Sequence, residues 1–188
     1  HEVGGVPIAE IARQEGRPPG TIYNLLRLAR EDFAAARQRA RELLELDAKR
    51  SDAHFLVGLV EFKAGRLEDA RTHFREAIAV SSAPYAEAWY NLGLLERAAE
   101  RPDEAIAAYT RAIAARPKYL AAINNLGLVH ADQGRHAEAE AEYRRALAID
   151  PRYTAAWQNL ARAHAARGRQ DDALAAYRQA LEIDPDDR

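Results

Sequence analysis

Apolar and small residues recur along this chain in a pattern that returns every 34 positions. The run Ala155-Ala156-Trp157-Gln158-Asn159-Leu160-Ala161 leads to Gly168 and then to Ala173, Tyr177, Ala180, Ile183 and Pro185. One period earlier stand Ala121-Ala122-Ile123-Asn124-Asn125-Leu126-Gly127, Gly134, Ala139, Tyr143, Ala146, Ile149 and Pro151. A further period back gives Glu87-Ala88-Trp89-Tyr90-Asn91-Leu92-Gly93, Ala105, Tyr109, Ala112 and Pro117. An earlier copy holds Val57, Gly58, Gly65, Ala70, Phe74 and Ala77, and runs one residue longer before Pro84-Tyr85. Inside each copy the apolar positions follow spacings of three and four, which predicts two amphipathic helices. Gly65, Gly134 and Gly168, each followed by Arg, are expected to end the first helix in a positive-φ conformation. The copy at Trp89 has Glu100-Arg101-Pro102 there instead, and Pro102 suits the first position of the second helix. Small residues such as Gly58, Gly93, Gly127, Ala70, Ala105, Ala139 and Ala173 are expected where two helices cross, with Trp89, Trp157, Tyr109, Tyr143 and Tyr177 filling the gaps. No copy can bury its apolar face alone, so stability comes from stacking.

Ahead of the copies the pattern changes. Val6 to Gly16 predicts a short helix with Ile8, Ile11 and Ala12 on one face, and Arg17-Pro18-Pro19-Gly20 a turn. Thr21 suits the N-cap of a second helix with Ile22, Leu25, Leu26 and Ala29 inward. From Thr21 to Leu46 there is neither Gly nor Pro, and Ile22, Leu25, Ala29, Phe33, Ala36, Ala40 and Leu43 form one stripe. Two readings stand: a single long helix, or a division near Glu31-Asp32 that makes Phe33 to Leu46 part of a shortened repeat.

The slots Trp89, Leu92, Gly93, Glu96, then Ile123, Leu126, Gly127, His130, then Trp157, Leu160, Ala161, His164, with the second-helix slots Ala105, Tyr109, Ala112 and their counterparts, resemble the tetratricopeptide repeat family over about 135 residues. That resemblance implies an all-α, right-handed α-α superhelix. At the other end, Ile8-Ala9-Glu10-Ile11-Ala12, Gly16 and Pro19-Gly20-Thr21-Ile22-Tyr23-Asn24-Leu25-Leu26-Arg27-Leu28-Ala29-Arg30 resemble the C-terminal helix-turn-helix of extracytoplasmic-function sigma factors, with Val3-Gly4-Gly5-Val6 similar to the end of the helix before it. There the resemblance implies that Thr21, Tyr23, Asn24 and Arg27 face a DNA major groove and that Arg30 lies near phosphates. The expected organisation is a helix-turn-helix-like segment over 1–30, a long or capping helix, or degenerate repeat, over 31–50, and repeats over 51–85, 86–119, 120–153 and 154–188.

Composition narrows the chemistry. The 188 residues carry a net charge of −2 and no cysteine, so disulfides, thiolate metal sites and thiol nucleophiles are excluded. Seven arginines against five acidic residues give residues 1–41 a net of +2, leaving −4 for residues 42–188. No apolar run approaches the roughly 20 residues that span a bilayer, and a cytoplasmic, membrane-free protein is the expectation. The chain begins at His1 without Met, which reads as a piece of something longer.

Candidate binding residues follow from the helical period. Two positions past the Trp slot is a rotation of about 200°, which is expected to turn Asn91, Asn125 and Asn159 away from the packed seam and toward a concave groove. An Asn amide offers both donor and acceptor, as an extended peptide backbone requires. The three positions resemble the asparagine ladder of O-linked N-acetylglucosamine transferase. Beside them lie Tyr90, Asn124 and Gln158, and one turn on Leu94, Leu128 and Arg162. The bland alternative is that Asn in this slot is simply solvated. Phe55, Leu59 and Ala121 occupy slots that the family's clamp for chaperone C-terminal tails needs basic or polar, which argues against that ligand. His130 and His164 share a slot one repeat apart and read as partly buried aromatics rather than metal ligands, His54 and His136 fill aromatic slots, and His73 is expected to be exposed. Glu138, Glu140, Glu142, Asp171 and Asp172 read as solvated charges. No nucleophile with a base, phosphate loop, cofactor motif or metal cluster is legible, so the expected partner is a protein or peptide, with DNA implied for the intact parent through residues 1–30. With no polar closing helix after Asp184, the face near Leu174, Tyr177 and Leu181 is expected to be open to a second copy, a partner or a further segment.

Overall fold

The computed structural model describes residues 2–3, 6–7 and 33–185. Strand β1 (Glu2–Val3) pairs antiparallel with β2 (Val6–Pro7), Val3 opposite Val6 and Glu2 opposite Pro7. This hairpin replaces the helix end expected over Val3 to Val6 and the helix start expected at Val6. Two residues, both glycine, separate the strands, a length and composition that favour hairpin over helix. The helix expected over Ile8 to Gly16, the turn after it, and the candidate DNA-contacting residues Thr21, Tyr23, Asn24, Arg27 and Arg30 lie outside the described residues.

Every other described element is a helix, and the chain divides into two compact units, His1–Ala99 and Glu100–Arg188. In the first unit, α1 (Phe33–Leu46), α2 (Ser51–Lys63), α3 (Leu67–Val80) and α4 (Ala86–Ala98) follow one another. Ala40 of α1 packs with Leu56 and Val57 of α2, with Leu43 and Leu44 alongside, and Ala36 meets Val60. A Cβ on Gly58 of α2 would lie 2.6 Å from the Phe74 ring of α3, so glycine is what lets that ring lie flat on the helix. Phe55 completes the cluster with ring centroids 5.9 Å from Phe74 and 5.2 Å from Tyr85. It is therefore core, and so are Leu56 and Leu59. Phe55 and Leu59, expected from the sequence in ligand-clamp slots, are therefore packing residues.

The second unit holds α5 (Pro102–Ala115), α6 (Leu120–Asp132), α7 (His136–Ile149), α8 (Thr154–Ala166) and α9 (Gln170–Ile183). Pro102 opens α5 at the first helical turn, where its missing N–H is no loss. Gly127 of α6 repeats the packing of Gly58: an added Cβ would sit 2.5 Å from the Tyr143 ring of α7.

Gly65, Gly134 and Gly168 take φ of 75°, 74° and 74°. At each, the following arginine amide bonds back five residues, Arg66 to Glu61 at 2.9 Å, Arg135 to His130 at 2.9 Å and Arg169 to His164 at 3.0 Å, the closure expected of a left-handed helix stop. The helices that follow have no side-chain N-cap; acidic residues in the first turn, such as Glu68, Asp69, Glu138, Asp171 and Asp172, offset the helix dipole instead. Among the described residues no helix is long and apolar enough to cross a membrane.

Candidate functional site

Four of the nine groove positions expected to face outward are buried. In the first unit, Tyr90 and Asn91 of α4 are buried and Leu94 is half-buried. Asn91 is only 4% exposed, and its Nδ2 donates to the Glu87 carbonyl one turn back at 2.9 Å. That amide is committed to its own helix.

In the second unit, Asn159 is 5% exposed and Asn124 is likewise buried. Asn159 Nδ2 donates to Asn124 Oδ1 at 2.8 Å, reaching from α8 to α6. The guanidinium of Arg162 then donates to Asn159 Oδ1. The first helices of successive repeats, α6 and α8, lie side by side, and that contact encloses Asn124 and Asn159. What remains toward solvent is Asn125, Leu128 and Gln158, all half-buried, with Arg162 exposed. The surface therefore rests on a buried amide pair whose polar groups satisfy each other, as burial demands.

A second set of polar contacts ties successive helices together. Arg37 of α1 donates to Glu61 of α2 at 2.5 Å, and Arg66 donates to the same carboxylate. Arg71 of α3 holds Glu96 of α4 through Nε at 2.7 Å and Nη2 at 3.0 Å. Glu140 of α7 accepts from Arg167 at 2.6 Å and from Arg169, with Arg144 at 2.5 Å and His164 Nδ1 at 3.9 Å. Glu140 is buried, so its reading as a solvated charge is corrected. Burial pushes its carboxyl up, but the hydrogen bond from Arg169 and the charges of Arg144, Arg169 and His164 outweigh that and hold it below the usual carboxylate range. Glu61 behaves alike: burial raises it, and the hydrogen bonds from Arg66 and Arg37 with their charges bring it lower. Glu61, Glu96 and His164 share one slot, so the same place in the repeat carries an acid in the first unit and an imidazole in the last copy. Sequence reading saw the shared slot without its partners, because those come from the preceding helix.

The histidines fall into packing roles. His164 is buried and His130 half-buried. His73, expected to be exposed, is half-buried because its Nδ1 lies 3.2 Å from Nδ1 of His54, whose Nε2 contacts the Ala48 carbonyl at 3.0 Å. Among the described residues no three His, Cys, Asp or Glu side chains converge on a metal position. A pocket of about 400 Å3 opens over Trp157, Leu160 and His164, between Arg144 and Leu147 of α7 and Asp172, Ala175, Ala176 and Gln179 of α9.

Comparison with known proteins places these helices in context. The family model described as Tetratricopeptide repeat matches residues 25–87, 62–119, 90–154 and 124–188, and the first of these takes in α1. A comparison with curated protein sequences finds no match. Among solved structures, MamA is 26% identical with a TM-score of 0.76, covering 96% of each chain. PilW, a type IV pilus biogenesis factor, is 26% identical with a TM-score of 0.74, covering 87% of this chain and 78% of its own. YrrB, described as a TPR protein with an unusual peptide-binding site, has a TM-score of 0.71 at 21% identity, covering 97% and 94%, and shares the fold.

Proposed function

The chain belongs to the tetratricopeptide repeat family, and from that premise we propose that it is a non-catalytic protein-interaction scaffold that holds a peptide or partner segment against the first helices of its second unit. The observation that carries this reading is the face formed by Asn125 and Leu128 of α6 with Gln158 and Arg162 of α8, all open or half-open to solvent over the buried Asn124–Asn159 pair. Such a face combines an apolar spot, two neutral amides and one cation on rigid helices, the mixture that peptide recognition uses. The 21%-identical neighbour described as having a peptide-binding site supports the same reading by analogy. Selection of peptides from a random phage-displayed library on the immobilised chain tests it. Enriched peptides should lose at least about tenfold in affinity, roughly 1.4 kcal/mol, when Leu128→Lys or Gln158→Ala is introduced, with the melting temperature kept. Peptides that bind both variants as well as the native chain put the groove elsewhere.

A second reading rests on a different observation. Leu174, Tyr177 and Leu181 are 54%, 39% and 48% exposed on α9, whereas the corresponding ring positions Tyr109 and Tyr143 are fully covered. Covering that stripe with a second copy of the chain would make a self-associating array.

A further inference from the structure

We propose that Arg162 reads a carboxylate on the bound segment, so that the preferred partner carries an acidic side chain opposite α8. This rests on the groove reading above and names the ligand chemistry of the same face. Five arginines of the described residues set the contrast. Arg37, Arg66, Arg71, Arg167 and Arg169 each direct the guanidinium at a buried carboxylate, Glu61, Glu96 or Glu140. Arg162 differs. Its Nη2 donates to a neutral amide oxygen, Asn159 Oδ1, and among the described residues no carboxylate pairs with it.

That contact orients the side chain without cancelling its charge. Asn159 is itself fixed, because its Nδ2 is spent on Asn124 Oδ1 at 2.8 Å and both amides are buried. The relay from Asn124 through Asn159 therefore removes part of the rotamer freedom that a long exposed arginine would otherwise lose on binding. A guanidinium carries five N–H donors in a planar fork, and one bond to Asn159 leaves enough of them for a two-point contact with a carboxylate. The neighbouring positions Asn125, Leu128 and Gln158 are neutral, so the cation has no acidic competitor among them. A pre-oriented, uncompensated guanidinium on a partly desolvated face discriminates charge and not only shape.

The test is an NMR titration of the full chain, labelled with nitrogen-15, using acetyl-Ala-Glu-Ala-amide and acetyl-Ala-Gln-Ala-amide as probes. Saturable shifts of the Arg162 Nε–H and the Asn159 amide with the glutamate peptide are expected, at a Kd about tenfold below that of the glutamine peptide. Arg162→Gln should erase the difference between the peptides. Arg162→Lys keeps the charge but loses the planar fork, so it should retain less than half of the discrimination; both substitutions are at an exposed position and leave the fold to be checked by its unchanged backbone spectrum. Equal affinity for the two peptides, with backbone shifts on α6 and α8, overturns the carboxylate assignment and leaves the groove standing. Absence of shifts on α6 and α8 with either peptide overturns both. A preference for glutamate that persists in Arg162→Gln assigns the recognition to another residue and also overturns the proposal.

Discussion

At the residue scale, the turns between paired helices separate what glycine does from what its neighbours tolerate. Gly65, Gly134 and Gly168 sit at positive φ with open space where a Cβ would go, so only the backbone conformation requires them. Glu100 holds the corresponding turn at φ 57°, and a left-handed conformation costs an ordinary L-residue about 1–2 kcal/mol. Glu100→Gly should therefore stabilise the protein by about 1 kcal/mol after the added freedom of the unfolded chain is subtracted, read as a higher calorimetric melting temperature. The histidines set a pH dependence of opposite origin. Burial is the main reason that His73, His130 and His164 all bind a proton less readily than an ordinary histidine, helped by the charges of His54, Arg135 and Arg169 respectively. In the unfolded chain they return to about pH 6.5, so below that pH the unfolded state takes up protons that the folded state refuses. Stability contributed by the neutral imidazoles is full above pH 6.5 and falls as pH drops from there toward the folded values. The melting temperature should be lower at pH 5.5 than at pH 7.5; a flat profile over that window would show that these rings are more open to water than their packing implies.

At the element scale, the helix pairs show how much of the packing a spacing can reveal. Gly58 with Phe74 and Gly127 with Tyr143 stand sixteen residues apart in sequence, and the expectation of a small residue at each crossing is met by an aromatic ring lying on the glycine rather than by two touching backbones. Gly127→Ala would gain about 1 kcal/mol of helix propensity, but its Cβ would lie 2.5 Å from Cε1 and 2.9 Å from Cδ1 of a ring that is buried and unable to swing away. Overpacking of that kind costs about 1–3 kcal/mol, so the variant should unfold at lower denaturant concentration with an unchanged m-value. The ties between successive helices were less legible. Arg71 with Glu96 and Glu140 with His164 are separated by 25 and 24 positions and look, in sequence, like any other surface charges; only the stacking of one pair on the next removes them from water.

At the scale of the whole molecule, the end of the second unit presents an apolar stripe that each preceding copy lacks. Leu174→Glu with Leu181→Glu should suppress concentration-dependent self-association in sedimentation velocity while changing stability by no more than about 0.5 kcal/mol, as expected of exposed positions. A native chain that stays monomeric at all concentrations would remove self-association from the account. The sequence alone determined the helical repeat and the places where helices stop, because period, glycine and proline act within a few residues of themselves; the burial of Phe55 and Leu59 and the exposure of Tyr177 were decided by the neighbouring helices. The three-dimensional arrangement decided the candidate site. Asn91, Asn125 and Asn159 share one slot and one chemistry, yet Asn91 turns to its own helix, Asn159 joins a buried pair with Asn124, and Asn125 remains half-open. A helical period sets which way a side chain points from its own axis, whereas its burial depends on which neighbouring helix lies across its path, and that is a property of the stack.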